Sequence, residues 1–369
     1  MEITAAVAPS VGADFDVRTV DIAAPGPGEI AIKIAGVGIC HTDIGVRDGH
    51  LPFPFPGILG HEGSGVVSAL GDGVTGISVG DKVALSFDSC GECKQCAKGA
   101  PAYCLNFMAH NFAGGRLDGS SAISADATPI ASNFFGQSSF ATHAIAHERN
   151  VVKLPDDAAV ELAGPLGCGI QTGAGAVLNS LDVEPGASLI VAGAGSVGLS
   201  SVLAAVVREV GTIIVVEPND ARRQLALDLG ATHAIDPAAG PVADQVRAIV
   251  PEGVDYAVDT TAIIAVLEQL VAALAVRGTL GLVGVPADLG AALPIALFQS
   301  QLFGITIRGI VEGDADPQTF IPYLLDLHRA GKFPFDKLIT TFPFSQINEA
   351  VQAQLNGEAI KVVLLNDLA

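Results

Sequence analysis

The stretch Ser188-Leu189-Ile190-Val191-Ala192-Gly193-Ala194-Gly195-Ser196-Val197-Gly198 decides how this chain folds. A short apolar run suited to a buried strand leads into G-x-G-x-x-G, and the segment 197–210 that follows reads as a helix. The next strand-like run, 212–217, ends in Glu217, 24 residues after Gly193, near the spacing of ~20 at which a carboxylate is expected. In a chain with 43 glycines the glycine pattern alone says little; its place between a strand and a helix makes it specific. Gly193, Gly195 and Gly198 permit a tight turn and let the backbone approach a pyrophosphate at a helix N-terminus. Glu217 would accept hydrogen bonds from an adenosine ribose and repel a 2′-phosphate, so NAD is expected over NADP.

Working outward, helix 220–229, strand Val254–Asp259, helix 263–275 and strands 279–283 and 305–308 continue the alternation. Strands alternating with helices imply right-handed crossovers, so residues 170–311 are expected to form an α/β domain with a doubly wound parallel (Rossmann) sheet. Residues 1–169 have another texture: short strands (29–34, 63–69, 81–85) joined by Gly/Pro turns, the pattern of a mostly β domain. The Gly-, Ser- and Ala-rich segment 114–132 shows little periodicity and reads as a surface excursion. Residues 312–369 turn helical at 320–330 and end in a strand at 360–365, which is expected to return to the first domain and leave a cleft between two lobes.

Composition narrows the function. The 369 residues are 50% hydrophobic and 16% charged, enough apolar material for two cores and against disorder. The net charge of −20 argues against nucleic acid and anionic membrane surfaces. Residues 1–10 hold no basic region before an apolar run, so no signal peptide is expected and the cytoplasm is the expected compartment. The uncharged segment 185–207 is long enough to span a bilayer, but Gly193, Gly195 and Gly198 close together fit a strand, a turn and a core-facing helix better.

With six cysteines and no export signal, metal binding is expected over disulfides. Cys90, Cys93, Cys96 and Cys104 form C-x2-C-x2-C-x7-C, a set that can close a tetrahedral structural zinc site around a loop with little core of its own. A disulfide pair and an iron–sulfur cluster are the other readings of that spacing. Cys40 and His61, in Gly38-Ile39-Cys40-His41-Thr42-Asp43 and Leu59-Gly60-His61-Glu62-Gly63, are each followed by a carboxylate placed to support a ligand. Cys40 alone reads as a buried core thiol. Cys168, the remaining cysteine, turns the pair into a Cys, His, Cys triple that leaves a fourth position open, as catalytic zinc requires.

In family order come Gly60-His61-Glu62, the four-cysteine lobe, Gly167-Cys168-Gly169, the glycine turn and Gly357-Glu358-Ala359-Ile360-Lys361. Over residues 30–363 the chain closely resembles the zinc-dependent medium-chain alcohol dehydrogenases, whose first domain is of GroES-like type. Within them it is most similar to the bacterial aryl-alcohol (benzyl alcohol) and geraniol dehydrogenases. Phe135-Gly136-Gln137-Ser138-Ser139-Phe140, Pro165-Leu166-Gly167-Cys168-Gly169-Ile170-Gln171-Thr172-Gly173 and Gly313-Asp314-Ala315-Asp316-Pro317-Gln318 carry that likeness. The resemblance implies catalytic zinc on Cys40, His61 and Cys168, backed by Glu62 and Asp43, and a second, structural zinc. It implies that Thr42 takes the alcohol proton, that Thr172 and Val197 press the nicotinamide ring, that Arg222 flanks the ribose, and that His41 and Lys361 meet the pyrophosphate. By position in the family pattern, Leu51, Phe53, Phe55, Phe134, Phe135 and Val285 are candidates for an apolar, aromatic-friendly alcohol pocket.

The implied reaction is reversible oxidation of aromatic or allylic primary alcohols to aldehydes with NAD, in a homodimer or homotetramer. Another primary alcohol, such as a short aliphatic or a glutathione adduct, and a catalytically silent binding protein on the same fold are the rival expectations. One position departs from the pattern: where many members carry a proton-relaying histidine five residues after the first zinc cysteine, this chain has Gly45.

Overall fold

The computed structural model describes residues 1–366. The chain divides into two compact units, one of Met1–Cys168, Asp316–Asp326 and the chain from Asp336 onward, the other of Gly169–Ala315 and Leu327–Phe335. The expected return segment is therefore split, because residues 327–335 group with the second unit.

In the second unit six parallel strands lie side by side: His233–Ile235, Thr212–Val216, Ser188–Ala192, Val254–Asp259, Leu274–Leu282 and Thr306–Gly309. Numbered along the chain their order is 3-2-1-4-5-6, the doubly wound arrangement. Every residue of Ser188–Ala192 is buried, which is why that strand reads as a continuous apolar run instead of alternating. Ile190, Ala192, Ile214, Ala257 and Leu280 pack with Val246, Leu267 and Leu270 of the flanking helices in one core. Strand order reverses between Ser188–Ala192 and Val254–Asp259, so the glycine turn before helix Ser196–Val207 stands at the switch point where such sheets bind ligands. The strand expected at 279–283 begins at Leu274, directly after helix Ile264–Ala273, because Val254 recruits Leu274 into the ladder. Among the described residues no helix is long and apolar enough to cross a membrane.

The first unit is built on the strand Glu29–Gly38. It pairs antiparallel with Glu62–Leu70, His143–His147 and Lys361–Leu365, so the last strand of the chain closes onto one of the first. The segment 114–132 differs from the expected excursion. Ile123–Ala125 and Thr128–Ile130 form a hairpin that extends the sheet beside Asp16–Ile22. Its two-residue turn, Asp126-Ala127, has both φ angles positive (48° and 62°), the geometry tight hairpins use. Small residues concealed the alternation there, since they carry little contrast between the two faces.

Candidate active site

Cys40 stands at the N-terminus of helix His41–Arg47 in an extended conformation, and its backbone N–H donates to Asp43 Oδ2 at 2.9 Å. Register does the next step: Gly38 pairs with Glu62 across the ladder, which sets His61 close to Cys40. Cys168 arrives on the turn Gly164–Gly167, where a Cβ on Gly164 would overlap the Glu62 carbonyl. Only glycine lets that segment lie so close to the strand. As a result, ligand atoms of Cys40, His61, Glu62 and Cys168 all lie within 4.8 Å of one another.

His61 is wholly buried. Its Nδ1 lies 2.9 Å from Asp43 Oδ1, which also accepts the Gly60 N–H at 3.0 Å, and its Nε2 is buried without a hydrogen-bond partner. A buried nitrogen left unpaired is costly unless something binds it. The carboxylate on Nδ1 orients the ring as carboxylates do behind metal-bound histidines. Two thiols and an imidazole fit zinc, with a position left open. The hydrogen bond with Cys168 holds the Cys40 thiol well below its ordinary pKa against desolvation, and the charges of His61 and Lys361 add to it. Desolvation, the largest influence, opposes charge on His61, yet the Asp43 carboxylate and Cys40 together hold the imidazole well above its usual value.

Lys361 differs from expectation. It is 1% exposed, and its Nζ is 2.8 and 2.9 Å from the two Glu62 oxygens and 3.0 Å from the Ile39 carbonyl. An ammonium buried this way needs a carboxylate partner, so Lys361 supports Glu62 instead of reaching for a pyrophosphate. Burial pushes the Glu62 pKa up, with Lys361 opposing. On helix His41–Arg47, Thr42 Oγ1 is 3.7 Å from Cys40 Sγ, while His41 is exposed.

Among the pocket candidates, Phe134 and Phe135 meet His61 directly. Phe53, Phe134 and Phe135 are buried, and Leu51 and Phe55 pack on the same core. Phe135 stacks on the His61 ring (4.5 Å between centroids, 26° between planes), and Phe134 meets it edge-on at 5.4 Å. Gln137, which sequence reading missed, donates to the His61 carbonyl at 2.9 Å and accepts the Gly63 N–H at 3.0 Å. No local pattern could have flagged a residue 76 positions away.

The four cysteines form the second cluster. Sulfur separations are 3.5 Å for Cys93–Cys96, 3.5 Å for Cys90–Cys104 and 3.9 Å for Cys90–Cys96. The centre of a regular tetrahedron lies about 0.61 of an edge from each vertex, here roughly 2.1–2.4 Å, which brackets the Zn–S distance of ~2.3 Å. Backbone N–H groups of Cys90, Cys93, Leu105 and Asn106 donate to these sulfurs at 3.3–3.4 Å. All six cysteines are free, which removes the disulfide reading, and so compact a set suits one ion instead of a multi-iron cluster.

In the second unit the glycine turn is tight: a Cβ on Gly198 would overlap the Gly193 carbonyl, whereas one on Gly195 would point into open space. That open cradle at the start of Ser196–Val207 suits a phosphate, with Val197 half-buried in the first helical turn. Glu217 Oε2 accepts the Ala194 N–H at 2.8 Å and Oε1 the Asn219 N–H at 2.9 Å, so the carboxylate is held against the turn. Arg222 Nε is buried without a partner. Thr172 Oγ1 and Gln171 Nε2 donate to Glu312 at 3.4 and 3.1 Å, a carboxylate that sequence reading did not single out. Val285 is 59% exposed.

A nucleotide cradle on a doubly wound sheet, together with a Cys/His cluster and a four-thiolate lobe on a β unit, defines the metal-dependent dehydrogenase class. Residues 26–156 match the alcohol dehydrogenase GroES-like domain and residues 196–329 the zinc-binding dehydrogenase domain. The chain is 51% identical to the geraniol dehydrogenase of Castellaniella defragrans over 98% of its own length and 97% of that protein's. It superposes on a benzyl alcohol dehydrogenase from Acinetobacter calcoaceticus with a TM-score of 0.97 at 43% identity, covering 100% of both chains. An alcohol dehydrogenase zinc-binding domain protein from Burkholderia ambifaria matches with a TM-score of 0.98 at 48% identity, covering 100% of this chain and 99% of that one. The chain belongs to the zinc-dependent medium-chain alcohol dehydrogenases and is an enzyme.

Proposed function

We propose that this enzyme oxidises aromatic or allylic primary alcohols reversibly to aldehydes with NAD, using two zinc ions per chain. The observation that carries the reading is His61 Nε2, buried and unpartnered beside Cys40 and Cys168, in a chain so similar to a geraniol dehydrogenase. Zinc on Cys40, His61 and Cys168 would supply Lewis acidity that lowers the alcohol's pKa. Asp43 orients His61, and Thr42 is the hydroxyl that takes the alcohol proton and passes it on. Glu217 reads the ribose and disfavours a 2′-phosphate; Arg222 flanks it, Gly193, Gly195 and Gly198 make room for pyrophosphate, and Thr172, Val197 and Val285 face the nicotinamide. The other zinc belongs to Cys90, Cys93, Cys96 and Cys104. The aromatic surroundings of His61 favour a flat or unsaturated alcohol. Homo-oligomerisation is supported by exposed Leu297, Phe298 and Leu302 on a helix of the second unit, and six free thiols suit a reducing cytoplasm.

The test is a panel of benzyl alcohol, geraniol, ethanol and a glutathione adduct, each with NAD and NADP, read by reduced-cofactor absorbance. Benzyl alcohol and geraniol with NAD should give kcat/KM at least ~10-fold above the others, and Glu217→Ser should narrow the NAD:NADP ratio. Preference for ethanol or the adduct would replace the substrate reading, and an unchanged cofactor ratio would remove Glu217 from its role.

A further inference from the structure

The ring behind His61 is itself held from the four-cysteine loop. Phe107 and Phe112, from the two ends of helix Phe107–Asn111, meet the Phe135 ring at centroid distances of 6.1 and 5.1 Å, and Phe135 stacks on His61. That helix starts three residues beyond the last cysteine, with Phe107 N–H donating to the Cys104 carbonyl at 3.0 Å. Its far end is tied to the other side of the loop through Asp88, two residues before Cys90. His110 Nδ1 lies 2.8 Å from Asp88 Oδ2, and the Asn111 side chain both accepts the Asp88 N–H and donates to the Asp88 carbonyl at 2.9 Å. Asp88, His110 and Asn111 are all buried, so these bonds compete little with water. Phe135 also sits at φ 50°, a conformation that a bulky residue adopts only where its surroundings impose it.

Asp43 fixes one atom of the His61 ring but leaves the tilt of its plane free, and the stack on Phe135 removes that freedom. We propose that the four-cysteine loop sets the ring plane of His61 through Phe107, Phe112 and Phe135, so that an ordered thiolate lobe raises the affinity of the Cys40/His61/Cys168 set for its metal. Phe107, Phe112 and Phe135 are positioning residues in this account. It rests on the zinc reading of both clusters given above. Groups that orient a metal-bound histidine are worth 10–100-fold in metal affinity, which sets the expected size.

The experiment loads the full-length protein with cobalt(II) and titrates it with a competing chelator. The d–d absorption distinguishes a four-thiolate ion from one held by two thiolates and an imidazole. Phe107→Leu combined with Phe112→Leu should leave the four-thiolate cobalt in place, weaken the other about 10-fold and shift its bands. Phe15→Leu, a buried ring of the same core that packs on Phe140, serves as the control for general loosening and should leave both affinities unchanged. Equal affinity in the parent and the double variant overturns the proposal, as does an equal loss in Phe15→Leu. If the double variant loses the lobe metal as well, Phe112→Leu alone decides by the same comparison. A parent that binds no cobalt at Cys40, His61 and Cys168 removes the zinc reading beneath the coupling, a result distinct from unchanged affinity.

Discussion

At the scale of single residues, His61 concentrates the chemistry. One ring nitrogen is held by Asp43, the other is bare, and the ring face rests on Phe135. Glu62, next in sequence, points at Lys361 instead, so adjacent residues take different partners. Gly45 is the residue whose absence of a side chain has a consequence. It lies on the helix that carries Thr42, and a Cβ there would meet only Leu51, at 3.7 Å, so an imidazole can be introduced without collision at its first atom. His41 is the nearest imidazole in sequence, and it is exposed. Gly45→His should raise the single-turnover hydride-transfer rate at about pH 7 by up to ~10²-fold, the low end of general-base effects. The gain should appear as pH rises through the ordinary imidazole pKa of ~6.5, because only the neutral ring accepts a proton. Stopped-flow measurement at saturating NAD checks this; an unchanged pH–rate profile would mean that proton release does not limit the step.

At the scale of elements, the four-cysteine loop has few buried side chains of its own, and within it only Ala102 and Cys104 are buried. The hydrogen bonds to sulfur and the Asp88–His110–Asn111 contacts must therefore carry its order, together with the metal proposed for its four thiolates. Cys96→Ser should remove one of the two zinc ions proposed per chain, read by elemental analysis. It should also lower Tm by roughly 6–12 °C, the shift expected for a ~3 kcal/mol loss in a domain of this size. A variant with the parent's Tm and one zinc would show that the lobe does not depend on metal.

For the molecule as a whole, the second unit carries three large apolar side chains close together on the surface of an acidic protein. Leu297, Phe298 and Leu302 are 84, 77 and 65% exposed on helix Leu297–Phe303. The neighbouring strand Thr306–Gly309 ends the six-stranded sheet with an unpaired edge among the described residues. Exposed edges and apolar patches together mark association surfaces. Light scattering should find a dimer or tetramer, and Phe298→Glu combined with Leu302→Glu should shift it to a smaller species. An assembly of unaltered mass would place the interface elsewhere.

The doubly wound sheet was legible in the sequence because its signals are local: an apolar strand, a glycine turn and a carboxylate at a set distance obey backbone geometry within one βαβ unit. The clustering of the four cysteines was legible for the same reason, since they fall within fifteen residues. Composition alone bounded the class of partner. Tertiary structure decided what depends on side chains far apart in the chain. Lys361 is spent on Glu62 because residues 299 positions apart were brought together on strands flanking Glu29–Gly38 from either side, and no motif at either end records that arrangement. Gln137, Glu312 and the Phe107–Phe135 contacts were hidden likewise, since hydrogen bonds and ring stacking act across space and leave no period in sequence. The hairpin at 123–130 escaped for a different reason: with small residues on both faces, strand pairing by a neighbouring sheet, and not local preference, determined its structure.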